Sequence, residues 1–187
     1  MQIAFIAVPL MIGGQERMVA QTAVGHPMDK ERDVISPDEL PAPEKLQGIG
    51  NVHMKITANK EAQVWFDQGL NLLHDFWDYE SSRAFEQCVR LDDQCAMCYW
   101  GLYKAETFRG NSAKKFADEA LAKAVSLKGH VSKQERLYIE ASVAHEEAEN
   151  AEKKGDTSGE TKEVQLLRKL VKRSAHDTQA RIFLAWR

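Results

Sequence analysis

Three cysteines, Cys88, Cys95 and Cys98, fall within 11 residues and are the side chains whose type and spacing best suit chemistry. Cys95 and Cys98 make a C-x-x-C pair, CAMC, in what reads as the first turn of a helix capped by Asp93. A helix N-terminus stabilises negative charge, so the Cys95 thiol is expected to have a lowered pKa, as in C-x-x-C redox motifs. In an oxidising compartment the three residues offer a disulfide, from Cys95 to Cys98 across one helical turn or from Cys88 to Cys95 across the turn between helices. Alternatively, Cys88 and Cys98 pack as small apolar side chains, which is the preferred expectation for Cys88. Tyr99 and not His follows the pair, so covalent c-type haem attachment is not supported.

A zinc or copper site would join Cys95 and Cys98 to His74 or His53. His74 lies at the end of the first predicted helix, within reach of the start of the third. Against a metal, the chain has no H-x3-H pair, no H-E-x-x-H and no second C-x-x-C. The expectation is therefore no bound metal and no cofactor, with Cys95, Cys98 and His74 as the ligands if one binds. His145, beside Glu146 and Glu147, reads as part of a wet helix face, and His26 as part of a flexible segment. No G-x-S-x-G elbow or Walker loop is present, and the adjacent carboxylates Asp92-Asp93 and Glu146-Glu147 point apart on a helix. No catalytic residue is assigned, and the chain is not expected to be an enzyme.

The elements that must position these residues are helices. Apolar residues recur at i, i+3, i+4 and i+7, first with Ala62, Trp65, Phe66, Gly69, Leu70, Leu73 and Trp77, then with Ala84, Phe85 and Cys88 behind an Asp78 cap. A third helix carries Ala96, Tyr99, Trp100 and Tyr103 inward, and Gly110-Asn111 breaks the chain before a fourth with Phe116, Ala117, Leu121 and Ala124. Gly129 suits a C-cap, and Ser132 with Glu135 makes a capping box opening a helix with Leu137, Tyr138, Ala141 and Ala144. After a loop over 154–160 come a helix with Val164, Leu167, Leu170 and Val171, and one capped by Asp177 with Ala180, Phe183 and Leu184. The expected fold class is all-α with about seven helices.

Two blocks of this pattern match at a fixed offset. Ala62, Trp65 and Phe66 are each followed 34 residues later by Ala96, Tyr99 and Trp100, and Ala117, Leu121 and Ala124 lie 36 residues after Ser81, Phe85 and Cys88. Trp65, Gly69 and Phe85 also follow the W-x2-L-G-x2-Y and A-x3-F packing pattern, with Gln68, Leu72 and Asp93 as departures. Over roughly residues 44 to 187 the chain resembles the tetratricopeptide-repeat family, and within it exported bacterial proteins of unassigned activity, through GLNLLHDFWDYESSRAFEQ, CAMCYWG and ERLYIEA. That resemblance implies stacked antiparallel hairpins in a right-handed α-solenoid. The repeats would be 59–92, 93–128 and a divergent, incomplete 131–187. The last helix ends at FLAWR without a partner, as expected of a C-terminally truncated fragment that associates through it.

The N-terminus reads differently. The apolar run IAFIAVPLMI has the length of a signal-peptide core and is too short to span a bilayer, so residues 1–23 are expected to be a secretory signal, although no Lys or Arg precedes it. Residues 24–58 carry Pro27, Pro37, Pro41 and Pro43 among acidic residues and read as a disordered or extended tether. The net charge of −3, with both signs spread along every helix, excludes the basic stripe that nucleic acid requires.

Aromatic residues crowd the first two repeats. Most belong in the core, but Trp77 and Tyr79 at the inter-helix turn, with Tyr103 and Lys104 on the inner helix, are expected to line a concave groove for a peptide or partner helix. The leading expectation is a protein-interaction scaffold in the periplasm or outside the membrane. The alternatives are a redox or metal protein using Cys95 and Cys98, and the scaffold of a larger enzyme whose catalytic residues lie elsewhere.

Overall fold

A computed structural model describes residues 35–152 and 161–187. The expected signal over 1–23, residues 24–34 of the tether and the expected loop over 154–160 lie outside the described residues. Among the described residues seven α-helices follow in order: α1 Lys60–His74, α2 Asp78–Leu91, α3 Ala96–Phe108, α4 Lys114–Leu127, α5 Lys133–Glu152, α6 Lys162–Arg173 and α7 Thr178–Ala185. The described residues contain no strand. The all-α class and the seven helices agree with the periodicity.

Helix starts depend on which side chain meets the first unpaired amides. Asn59 Oδ1 accepts from the Glu61 and Ala62 amides to open α1, and Asp177 Oδ1 accepts from the Ala180 amide at 3.0 Å to open α7. The capping box forms as expected: the Ser132 amide donates to Glu135 Oε2 at 2.8 Å, and the Glu135 amide donates to Ser132 Oγ at 3.2 Å. Two expected caps are corrected. Asp78 is the first residue of α2, with Trp77 in the cap position and no side-chain bond there. Asp93 does not cap α3; a tight turn from Asp92 O to the Cys95 amide carries the chain on, and Cys95 takes the cap position. Gly129 is not a left-handed C-cap either, since α4 ends at Leu127 with Lys128 as its C-cap and Gly129 sits inside a 3-10 turn.

Successive helices pack on one another, α1 on α2, α2 on α3, and α3 on α4, while α5, α6 and α7 form a second run. The 34-residue offset has a packing counterpart. Phe66 and Trp100 are both fully buried with ring centroids 6.4 Å apart, and Trp65 and Tyr99 are both half-buried. Ala62, Ala96, Cys88, Ala117, Leu121 and Ala124 are buried as the repeat pattern requires. Phe85 is wedged between helix backbones: a Cβ built on Gly69 would lie 2.9 Å from its ring, and one built on Gly101 would lie 2.3 Å away. Ser81 Oγ donates to Gly69 O at 2.8 Å on the same seam.

Residues 35–58 are not a free tether. Leu40, Met54 and Ile56 are buried, and the helices hold the segment by its backbone. Gln68 bonds the Leu46 amide and the Glu44 carbonyl, Asn71 the amide and carbonyl of Val52, and Arg90 the carbonyls of Asp38 and Leu40. A proline-rich segment without internal periodicity becomes ordered here because its unpaired backbone groups find amide and guanidinium partners on α1 and α2. The departure at Gln68 from the repeat pattern, which calls for Leu, is thereby explained.

Gly101→Ala should destabilise the fold by about 1–3 kcal/mol, because its new methyl overlaps the Phe85 ring and outweighs the better helix propensity of Ala. Gly129→Ala, which meets open space, should be neutral or stabilising by about 0.5 kcal/mol. Urea denaturation followed by circular dichroism checks both.

Candidate functional site

α2 and α3 bring the three cysteines together as one buried cluster. Cys88 lies in the last turn of α2, Cys95 at the cap of α3 and Cys98 in its first turn, and their sulfurs all lie within 4.8 Å of one another. Cys88 and Cys98 form a disulfide with Cα atoms 5.5 Å apart, within the usual range. Neither expected pairing occurs: the bond spans 10 residues across the inter-helix turn, from the last turn of α2 to the first turn of α3. Cys88 is thus a crosslink as well as core packing, and Cys95 is the free thiol.

The expected lowering of the Cys95 pKa is also overturned. Burial pushes the thiol up to about 12, with Asp92 and Glu135 adding to the rise, against the Cys98 and Met97 amides that lower it. The Cys98 amide does donate to Cys95 Sγ at 3.2 Å, so the helix terminus acts as expected but is outweighed by desolvation. Neither candidate histidine reaches the cluster. His74 Nε2 meets Gln179 Oε1 at 2.6 Å and its ring faces Phe183 and Trp186, while His53 Nδ1 meets Asp67 at 2.7 Å.

The four expected groove residues separate into two pairs. Tyr103 and Lys104 are buried, because α5 and α7 cover the inner face of α3: Trp100 packs against Tyr138 and Phe183 and donates to Ser142 Oγ at 3.0 Å. Tyr103 donates to Glu146 Oε1 at 2.9 Å, and its pKa is raised by burial and by that carboxylate. The Lys104 ammonium sits 5.1 Å from the Phe183 ring centre, and burial, with Arg187 second, lowers its pKa to about 8. An open groove through Tyr103 and Lys104 is therefore ruled out in this structure; the chain fills that face itself.

Beside Lys104 runs an ionic network that spacing did not signal. Glu163 receives Arg187 Nε at 2.7 Å and His145 Nδ1 at 3.2 Å. Burial alone would raise the Glu163 pKa, but His145 and Arg187 outweigh it and hold it low. Lys114 joins Glu146 at 3.0 Å in the same way. His145 thus faces inward and not onto the wet side of α5. A second pair, Glu106 with Arg109 at 2.9 Å, is buried under the α2 residue Ser82, which donates to Glu106. The i, i+3 spacing of Glu106 and Arg109 was the available signal; their burial was not readable from it.

What remains exposed is the other pair and its surroundings. Trp77 is 56% exposed and Phe76 71%, and Phe108 and Trp186 are exposed in edge contact at 6.1 Å. Phe76 holds φ of 59°, a left-handed conformation unusual for an aromatic residue. Tyr79 lies half-buried under the Arg83 and Arg109 guanidinium groups.

The buried ammonium has a pH signature. Lys104 loses its proton near pH 8 when folded but near the ordinary lysine value of 10.5 when unfolded, so deprotonation favours folding as pH rises between those values. The stability of wild type relative to Lys104→Met should therefore increase from pH 7 to pH 9.5; parallel curves in urea titrations across that range would refute it. Compared with known proteins, the chain matches no family model, no curated protein and no solved structure.

Proposed function

We propose that this chain is a protein-interaction scaffold of the tetratricopeptide-repeat type, exported to the periplasm or beyond. The repeat reading is supported by the matched environments of Phe66 and Trp100 and of Trp65 and Tyr99, and by the sequential packing of α1 to α4. Export is supported by the Cys88–Cys98 disulfide, since such bonds persist in oxidising compartments.

The docking surface differs from the groove anticipated from the sequence. With the inner face of α3 covered, the partner meets the turn after α1, where Phe76 and Trp77 stand in solvent. The single observation that carries this reading is the exposure of two adjacent aromatic rings, Phe76 and Trp77. The left-handed backbone of Phe76 belongs to the turn that ends α1, where the Trp77 amide donates to Leu72 O at 3.0 Å and the Phe76 amide to Leu73 O at 3.4 Å. Large apolar rings left side by side in solvent mark interaction surfaces, and aromatic rings are the side chains that most often anchor an interface. The partner is a helix or peptide whose aliphatic side chains cover Phe76 and Trp77.

Photo-crosslinking tests it. With p-benzoyl-phenylalanine at position 77, expressed in the native host, a discrete partner should be captured that the same probe at exposed Lys172 does not capture. The purified partner should then bind wild type, and Trp77→Ala should weaken it by about 2 kcal/mol, or about 30-fold. Equal capture at both positions, or no loss in the variant, would overturn the proposal.

A further inference from the structure

We propose that Cys88, Cys95 and Cys98 form a redox-gated site for a soft monovalent metal ion, copper(I) by its chemistry, which loads when the disulfide is reduced. The geometry comes first. Three sulfurs on two packed helices converge within 4.8 Å, and the cysteines that carry them are buried to 1% exposure or less. A metal–thiolate bond of about 2.3 Å in a trigonal plane sets three sulfurs about 4 Å apart, a separation that Cys88 and Cys98 reach once their bond is opened and that lies within the 4.8 Å spanned by the cluster. Among the described residues, no histidine or carboxylate completes the cluster to four.

That donor set discriminates between metals. Zinc takes four ligands in structural sites, and this buried cluster supplies three side chains. Copper(I) is soft, favours thiolate and accepts three-coordination, so the all-sulfur cluster suits it better. The Cys98 amide aimed at Cys95 Sγ, on the N-terminal turn of α3, offsets part of the desolvation cost of an anionic sulfur, and the metal's own charge supplies the rest. This also explains why a third cysteine is held against a disulfide it does not join.

The chemistry balances as follows. A cellular dithiol transfers two electrons and two protons to the Cys88–Cys98 bond, which opens to two thiols while the dithiol closes to its own disulfide. Copper(I) then binds the three sulfurs and their protons leave to solvent. Exchange with an oxidised dithiol, whose own disulfide accepts the two electrons and takes two protons from solvent to become a dithiol, closes Cys88–Cys98 again, removes two of the three ligands and expels the ion. The site does not depend on the scaffold reading.

The test uses the whole chain, reduced anaerobically with a phosphine that is then removed, and titrated with copper(I) against a chromophoric chelator. One copper(I) per chain should bind with thiolate-to-copper charge-transfer absorption, and the oxidised chain should bind none. Cobalt(II) should give no tetrahedral thiolate spectrum. Cys95→Ser, which keeps the Cys88–Cys98 disulfide when oxidised, should weaken copper(I) on the order of 100-fold in the reduced state. Absence of stoichiometric copper in the reduced wild type, whether helical or unfolded by circular dichroism, would overturn the proposal. So would equal affinity in Cys95→Ser, or equal copper uptake by the oxidised chain.

Discussion

The contact on which the rest of this fold depends is the Phe85 ring seated between the backbones of α1 and α3. Gly69 and Gly101 let two helices approach that ring more closely than any side chain would permit, and both positions would clash if a methyl were added. Interiors pack at crystal density, so such a seam has one arrangement and fixes three helices at once. Everything nearby inherits its position from it: Ser81 bonded to Gly69, Phe66 against Phe85 at 5.5 Å, and Cys88 one turn further along α2 facing Cys98.

The second half of the molecule is arranged to cover what the first half leaves open. Trp100 and Lys104 project from the inner face of α3, and α5 and α7 cover them with Tyr138, Ser142 and Phe183. Covering a lysine requires compensation, supplied by the ring faces of Tyr103 and Phe183 and by the nearby carboxylates of Glu163 and Glu146. The same covering that buries the expected groove leaves Phe76 and Trp77, at the turn after α1, facing solvent.

The site residues were unequally legible. Apolar spacing identified the seven helices and the buried members of the repeat, because a 3.6-residue period records directly which face must leave water. Capping depended on local geometry and was readable only where the side chain was adjacent to its amide, as at Ser132, Glu135 and Asp177. At Asp93 it was not, since a tight turn moved the helix start to Cys95. The polar hooks Gln68, Asn71 and Arg90 looked like surface residues, because nothing local announces that a distant proline-rich strand of backbone will lie across them.

By itself, the sequence determined that this chain is helical, that residues of its first and third helices match at an offset of 34 and those of its second and fourth at 36, and that three thiols lie close along the chain. Only the tertiary structure decided which two of those thiols join, that burial outweighs the helix terminus at Cys95, and that Tyr103 and Lys104 are interior. The reason is physical: periodicity and capping act over one or two turns, whereas desolvation, disulfide pairing and ion pairing depend on groups that meet only after helices far apart in sequence have packed.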